Sequence, residues 1–196
     1  MISLQQEIRN FFSESNISYE DCTNSLYCLD FRFRYREDKE EYAHLEVKEK
    51  KAPYNLSNWG IFNEKESDIF IIDDLSIRKL MLYGPRSFTL IRNNGNGKYY
   101  MLRSVDTLGI PKIRVNRPIE KNNLIFKGKW IIKFSDLKPI ESLSHAFLEI
   151  LKYINNLRQV FLETTECFGN YPSEKLSEAG IVREAHYWQK DLFEAH

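Results

Sequence analysis

Cysteine is scarce and scattered in this chain of 196 residues. The three cysteines, Cys22, Cys28 and Cys167, form an odd set without a CxxC pair. A disulfide scaffold needs paired cysteines and a structural zinc site needs closely spaced ones, so the sequence argues against both. We therefore expect reduced thiols and a cytoplasmic location.

Long apolar runs are missing as well. No stretch approaches the roughly 20 consecutive apolar residues that a membrane-spanning helix needs, and the first residues lack the pattern of a secretory signal. The sequence contains neither a glycine-rich phosphate loop nor a serine-centred elbow, and its four histidines show no metal-ligand spacing. We expect no membrane partner, and the candidate site has to come from the other charged side chains.

The most informative feature is an acidic residue and a lysine within one strand-like run, residues 43–50. Successive side chains of a strand alternate between its two faces. Leu45 and Val47 therefore share a face that can be buried, whereas Glu46 and Lys48 emerge side by side on the other face. A ladder of surface charges on an edge strand would give the same pattern.

A second strand-like run, residues 25–33, carries Asp30 in its middle. If the two runs pair, Asp30, Glu46 and Lys48 lie close together. Two carboxylates and an ammonium are a minimal apparatus for cutting a phosphodiester with a divalent metal. Other acid-x-lysine triplets, at 37–39, 49–51 and 136–138, lie in predicted turns or at strand ends.

With Asp30 followed by the Glu46–Lys48 triplet, the chain resembles the PD-(D/E)xK nuclease superfamily. The resemblance covers roughly residues 1–92, and the residue before Asp30 is Leu29 and not proline. It implies an α/β (α+β) fold, with a restriction-endonuclease-like core of mixed β-sheet flanked by helices. The predicted elements have a similar order, namely a helix at 2–12, strands at 25–35 and 43–50, a crossing helix at 55–61, a strand at 68–73 and a helix at 76–83.

The resemblance also implies the chemistry of the site. Asp30, Glu46 and the backbone carbonyl of Val47 would hold Mg²⁺ or Mn²⁺, hard ions that take oxygen ligands. Lys48 would orient or deprotonate the attacking water, or stabilise the transition state. Related nucleases often add a glutamate from the first helix, and Glu7 either fills that role or is a solvated residue near a helix N-terminus.

Charge is unevenly distributed along the chain, although the formal net charge is zero. Residues 111–133 contain seven bases and one acid, a net charge of +6, whereas residues 141–196 contain nine acids and five bases. Such segregation is typical of a surface that faces a polyanion, and an ordinary solvated basic loop is the alternative. The predicted contacts with nucleic-acid phosphates are Arg32, Arg34, Lys50, Lys51, Lys112, Arg114 and Arg117.

The chain is predicted to contain two regions. Residues 1–139 would form the nuclease-like domain, with the motif core in about 1–92 and a basic β extension in about 93–139 that contains an Asn-Gly hairpin turn at 94–97. Within residues 140–196, apolar side chains recur at helical spacing from Leu143 to Phe161, and a second helical stretch is predicted at 174–193. This pattern predicts a C-terminal helical extension that either packs on the core or forms a homodimer.

These features together predict a magnesium-dependent endonuclease whose partner is DNA. The alternative is a non-catalytic nucleic-acid-binding or assembly subunit of a mobile-element or defence complex that retains the nuclease fold.

Overall fold

The computed structural model describes residues 2–36, 41–59, 64–118 and 126–157. Contacts divide the chain into two compact units, Met1–Asn155 and Asn156–His196. The second unit lies almost wholly outside the described ranges, and every described helix and strand belongs to the first unit.

Four helices and nine strands make up the described part of the first unit. The helices are α1 (Leu4–Glu14), α2 (Asp74–Leu82), α3 (Asp106–Gly109) and α4 (Leu143–Asn155). The strands are β1 (Tyr19–Asp21), β2 (Phe31–Arg34), β3 (Tyr42–Lys50), β4 (Ile69–Asp73), β5 (Ser87–Asn93), β6 (Lys98–Arg103), β7 (Lys112–Pro118), β8 (Phe126–Lys133) and β9 (Lys138–Ile140).

The larger sheet has six strands in the order β1-β2-β3-β5-β6-β9. β3 and β5 are parallel, and the other neighbouring pairs are antiparallel. Parallel neighbours need a crossover connection, and in this sheet the crossover contains β4 and α2. A mixed sheet flanked by helices confirms the predicted fold class.

A smaller sheet has three antiparallel strands in the order β4-β8-β7. The strand predicted at 68–73 exists as β4, which pairs with β8, and the parallel neighbour of β3 in the larger sheet is β5. The apolar run of β4 buries Ile69, Phe70 and Ile72. Such a run predicts a buried strand without specifying which strand pairs with it.

The strand predicted at 25–35 begins only at Phe31. The preceding segment turns, because the Ser25 hydroxyl accepts the backbone N–H groups of Tyr27 and Cys28, each at 3.2 Å. Asp30 therefore lies immediately before β2 and not in the middle of a strand.

Aromatic side chains fill the space between one face of the larger sheet and helices α1 and α4. The Phe12 ring of α1 lies 5.8 Å from Phe31, 5.5 Å from Phe33 and 5.1 Å from Phe147 of α4, measured between ring centroids. Phe147 also stacks on Phe11 at 4.7 Å. The helix predicted after residue 140 is thus confirmed as far as Asn155, and this part of it packs on the core.

The opposite face of the larger sheet meets α2 and the smaller sheet. Their apolar side chains form a second core, which includes Ile91, Tyr100 and Leu102 of the larger sheet, Phe70, Ile72 and Ile132 of the smaller sheet, and Ile77 and Leu80 of α2. α2 is thereby fixed above the larger sheet, where its first turn reaches β3.

The predicted Asn-Gly hairpin turn is present in the structure. The hairpin turn at 94–97 joins β5 to β6, with Gly97 at a φ of 69° that favours glycine. The domain boundary at 139, the homodimer and the cytoplasmic location stay predictions, and the predicted helical stretch at 174–193 lies outside the described residues. No helix in the described ranges is long and apolar enough to cross a membrane.

The packing of α4 predicts unequal effects of two neighbouring substitutions. Phe147 is 5% exposed and Leu148 is 56% exposed. We expect Phe147→Ala to lower the free energy of unfolding by about 3–5 kcal/mol, because it leaves a cavity among the Phe rings, and Leu148→Ala to lower it by less than about 0.5 kcal/mol. Urea denaturation monitored by circular dichroism would measure both changes, and similar losses for the two variants would contradict this packing.

Candidate active site

Asp30 lies where the pairing of β2 with β3 ends. The last pair in this antiparallel ladder is Phe31 with Leu45. One residue further, the Asp30 Oδ2 atom accepts the backbone N–H of Val47 at 2.7 Å. The Asp30 carboxylate thus replaces the next acceptor of the ladder and is held beside the Glu46–Lys48 triplet.

Glu46 is buried and makes two polar contacts. Its Oε1 atom lies 2.6 Å from the Lys48 ammonium and accepts the Ser76 hydroxyl at 2.8 Å. The Glu46 side chain is 4% exposed, and β3 is an interior strand between β2 and β5. The structure therefore brings Asp30, Glu46 and Lys48 together and excludes a surface charge ladder on an edge strand.

The environment of Asp30 disfavours its charged form. Burial, and next the negative charge of Glu46, raise the pKa of Asp30, while the Val47 N–H and the charges of Lys48 and Lys79 oppose this rise. Two carboxylates in a half-buried site repel each other. A cation bound between them would remove that repulsion.

The oxygen atoms at this site fit a magnesium-type ion. The N–H and C=O of one strand residue point to the same edge, so the Val47 carbonyl faces the side on which the Asp30 carboxylate lies. Both contacts of Glu46 use Oε1, so Oε2 is the oxygen that an ion would take. Within the described ranges no three acidic, histidine or cysteine side chains form a metal-binding group. Mg²⁺ needs no more than one or two carboxylates, since it keeps several waters.

Three further side chains support the site, and sequence reasoning did not identify them. Ser76 of α2 contacts Glu46, Gln5 donates from Nε2 to Asp30 Oδ1 at 3.4 Å, and Lys79 donates to the Cys28 carbonyl at 2.8 Å. Each contact joins residues that are far apart in the chain. No local pattern could have indicated them.

Glu7 lies in a different cluster. Its two carboxylate oxygens contact Arg92 Nη1 and the Tyr99 hydroxyl, each at 2.6 Å. Arg92 also pairs with Glu49. Among the described contacts, none joins Glu7 to Asp30 or Glu46, so the structure gives Glu7 a role in tying α1 to β5 and β6.

Four of the predicted phosphate contacts lie on β2 or at the end of β3. Lys50 is only 5% exposed, and its ammonium contacts the Glu66 carboxylate and carbonyl and the Ile69 carbonyl, so its predicted phosphate contact has no support. Arg32 pairs with Glu20 at 3.2 Å and stacks on Tyr42, and Arg34 lies within 3.5 Å of the same tyrosine hydroxyl. Lys51 is 75% exposed and 3.9 Å from Glu49.

The other three predicted phosphate contacts lie on β7. The Lys112 ammonium donates to the carbonyls of Thr107 and Ile110. Arg114 is 3.5 Å from Asp74, and Arg117 lies opposite Lys127 of β8. Their contact with nucleic acid stays a prediction.

Known proteins give little further guidance. No protein-family model matches the chain, and no protein with a curated description matches it. Among solved structures, the chain is similar to a nuclease from a fusselovirus, with 14% sequence identity and a TM-score of 0.44 over 79% of this chain and 89% of that one. A likeness this distant assigns neither a family nor an activity.

The raised pKa of Asp30 predicts a stabilising substitution. Because native Asp30 holds its proton more tightly than unfolded Asp30, stability is lost as the pH rises from the ordinary value of 3.8 through the raised one. In metal-free buffer we expect Asp30→Asn to raise Tm at pH 7, because the amide removes the buried negative charge and its repulsion from Glu46. The difference should disappear below about pH 4. Thermal melts between pH 3 and 7 would measure it.

Asp21 provides a control of opposite sign. Burial raises the pKa of Asp21, but hydrogen bonds from Arg9 and Thr23 outweigh burial and lower this pKa to about 2. Asp21→Asn should therefore lower Tm at pH 7, and its deficit should shrink as the pH falls towards 2. An Asp30→Asn protein no more stable than wild type at pH 7 would contradict the described electrostatics of the site.

Proposed function

We propose that this protein is a metal-dependent nuclease that hydrolyses DNA phosphodiester bonds at Asp30, Glu46 and Lys48. The observation that supports the proposal best is the meeting of two carboxylates and an ammonium at the end of the β2–β3 ladder. Burying such a group costs stability unless something compensates for it. A phosphodiester substrate with a divalent cation supplies compensating charges of both signs.

Each residue has a distinct task in this proposal. Asp30, Glu46 and the Val47 carbonyl would hold Mg²⁺ or Mn²⁺, which lowers the pKa of a bound water and neutralises charge on the phosphate. The ion pair with Glu46 keeps the Lys48 ammonium beside the ligand oxygens. From there it can hold the attacking water or a phosphate oxygen. Ser76 fixes the rotamer of Glu46 from above the sheet.

A gel assay on supercoiled plasmid and branched DNA tests the activity directly. We expect cutting by the wild type to require Mg²⁺ or Mn²⁺ and to fall at least about 100-fold in Lys48→Ala, the usual scale for losing a charge that stabilises a transition state. Lys98→Ala, at an exposed lysine on β6, is the matched control and should cut like the wild type.

Two other outcomes of this assay have definite meanings. Equal cutting by wild type and Lys48→Ala would refute the site. Absence of cutting with either metal, with DNA binding intact, would instead support the non-catalytic binding or assembly subunit. An RNA substrate of the same sequence, assayed in parallel, tests whether the protein cuts DNA in preference to RNA.

Metal binding can be measured without catalysis. At a Mg²⁺ concentration about 100 times its Kd, wild type should gain about 2.7 kcal/mol of stability, which corresponds to a rise in Tm of roughly 5–10 °C. Asp30→Asn and Glu46→Gln should lose this shift, because each removes a ligand, whereas Asp21→Asn should keep it. An undiminished shift in both ligand variants would show that the ion binds elsewhere.

A further inference from the structure

Asp73 connects the smaller sheet to the candidate site. It ends β4 and stands at the N-cap position of α2, three residues before Ser76. Since an α-helix rises about 1.5 Å per residue, Asp73 lies about one helical turn from the hydroxyl that holds Glu46. No side-chain capping bond is formed by Asp73, so its carboxylate serves another purpose.

That carboxylate is shared by two lysines of β8. Asp73 Oδ2 lies 3.1 Å from the Lys127 ammonium, and Asp73 Oδ1 contacts the Lys129 ammonium. Lys129 is paired with Asp73 in the strand register, and Lys127 lies two residues along on the same face. Arg117 of β7 stands opposite Lys127, on that face too.

Among the residues that the structure describes, the charges of this group do not balance. One carboxylate faces two ammonium groups, which leaves an excess of positive charge. Burial, and next the positive charge of Lys48, lower the pKa of Lys129. Lys48, which the proposed chemistry uses, and Lys129 thus repel each other, and the contact of Lys129 with Asp73 opposes this repulsion. A phosphate placed near both would relieve this repulsion.

Other bases of the same region have different partners. Lys133 pairs one-to-one with Glu64 at 2.7 Å. Lys112 is bound by backbone carbonyls. Arg114 is held against Asp74 across Gly128, where an added Cβ would lie only 2.7 Å from Arg114 Nη2. Of the bases compared in this region, Lys127 and Lys129 are the two lysines that share one acid, Asp73.

We propose that Lys127 and Lys129 bind a backbone phosphate of the nucleic-acid strand that enters the site, in competition with the Asp73 carboxylate. The inference rests on the proposed function, whose substrate it positions. In the free protein Asp73 holds the two ammonium groups together, and a substrate phosphate takes its place. The affinity of such a site depends on the charge of the phosphate and not on the base sequence.

Two pairs of variants separate this site from general charge effects. Asp73→Asn and Glu64→Gln each remove one acid that faces a lysine of β8, and asparagine preserves a favourable N-cap residue. The Lys127→Ala/Lys129→Ala double variant is compared with Lys133→Ala on the same strand. Binding of a fluorescein-labelled 20-nucleotide DNA, single-stranded and duplex, is measured by anisotropy in EDTA over a series of salt concentrations. Thermal melts confirm folding.

We expect Asp73→Asn to bind DNA roughly fivefold more tightly, whereas Glu64→Gln should change affinity by less than about twofold. The double lysine variant should bind at least about tenfold more weakly, and the slope of log K against log salt should fall by nearly 2 for duplex DNA. Lys133→Ala should leave both quantities unchanged. Lys129→Arg keeps the positive charge and should therefore retain most of the affinity. This variant serves as a second test if the double variant does not fold.

Equal effects of Asp73→Asn and Glu64→Gln would overturn the inference, as would equal effects of the double variant and Lys133→Ala. The outcome is independent of the cleavage assay, because EDTA removes the metal. If the binding results agree with these expectations and no cleavage is seen, they would support the phosphate site and refute the nuclease. Cleavage that depends on Lys48, with binding insensitive to Asp73 and the two lysines, would refute the phosphate site alone.

Discussion

The hydrogen bond from the Val47 N–H to the Asp30 carboxylate is the interaction on which the candidate site depends. The β2–β3 ladder ends at Phe31 and Leu45, and one more backbone pair would have filled the edge of β3. Because Asp30 replaces that pair with its side chain, a charged group is placed at the edge of an interior strand. The backbone then fixes the distance between Asp30 and Glu46 more rigidly than two flexible side chains could.

This arrangement costs stability. Burial and the proximity of Glu46 make the charged form of Asp30 costly, and the rest of the structure holds the carboxylates in place. The Ser76 hydroxyl reaches Glu46 from the first turn of α2, and α2 itself is fixed by the apolar core between the two sheets. Strain of this kind is typical of sites that await a ligand.

In the smaller sheet, the bases of the segment at residues 111–133 acquire partners that the sequence does not show. Read along the chain, residues 111–133 are a run of positive charge, but folding gives most of its described members an acid or a carbonyl. Within the described ranges, Lys127 and Lys129 share the single carboxylate of Asp73, which leaves an excess of positive charge there. Because the formal net charge is a sum over the whole chain, its value of zero conceals this local excess.

The sequence by itself determined the features that depend on local periodicity. The predicted helix at 2–12 corresponds to α1, the alternation around Glu46 indicated β3, and Asn-Gly residues indicated the turn between β5 and β6. The two-strand pattern also indicated that Asp30, Glu46 and Lys48 would meet. All of these follow from the geometry of one element or of two neighbouring ones.

Only the tertiary structure decided which partners the elements and charges find. β4 pairs with β8 and not with β3. Lys50 lies two residues after Lys48, on the same face of the strand. It is nevertheless buried, and its ammonium pairs with Glu66. The bonds of Ser76 to Glu46 and of Lys129 to Asp73 span 30 and 56 residues. Periodicity specifies the face on which a side chain emerges, whereas its partner depends on the packing of distant segments.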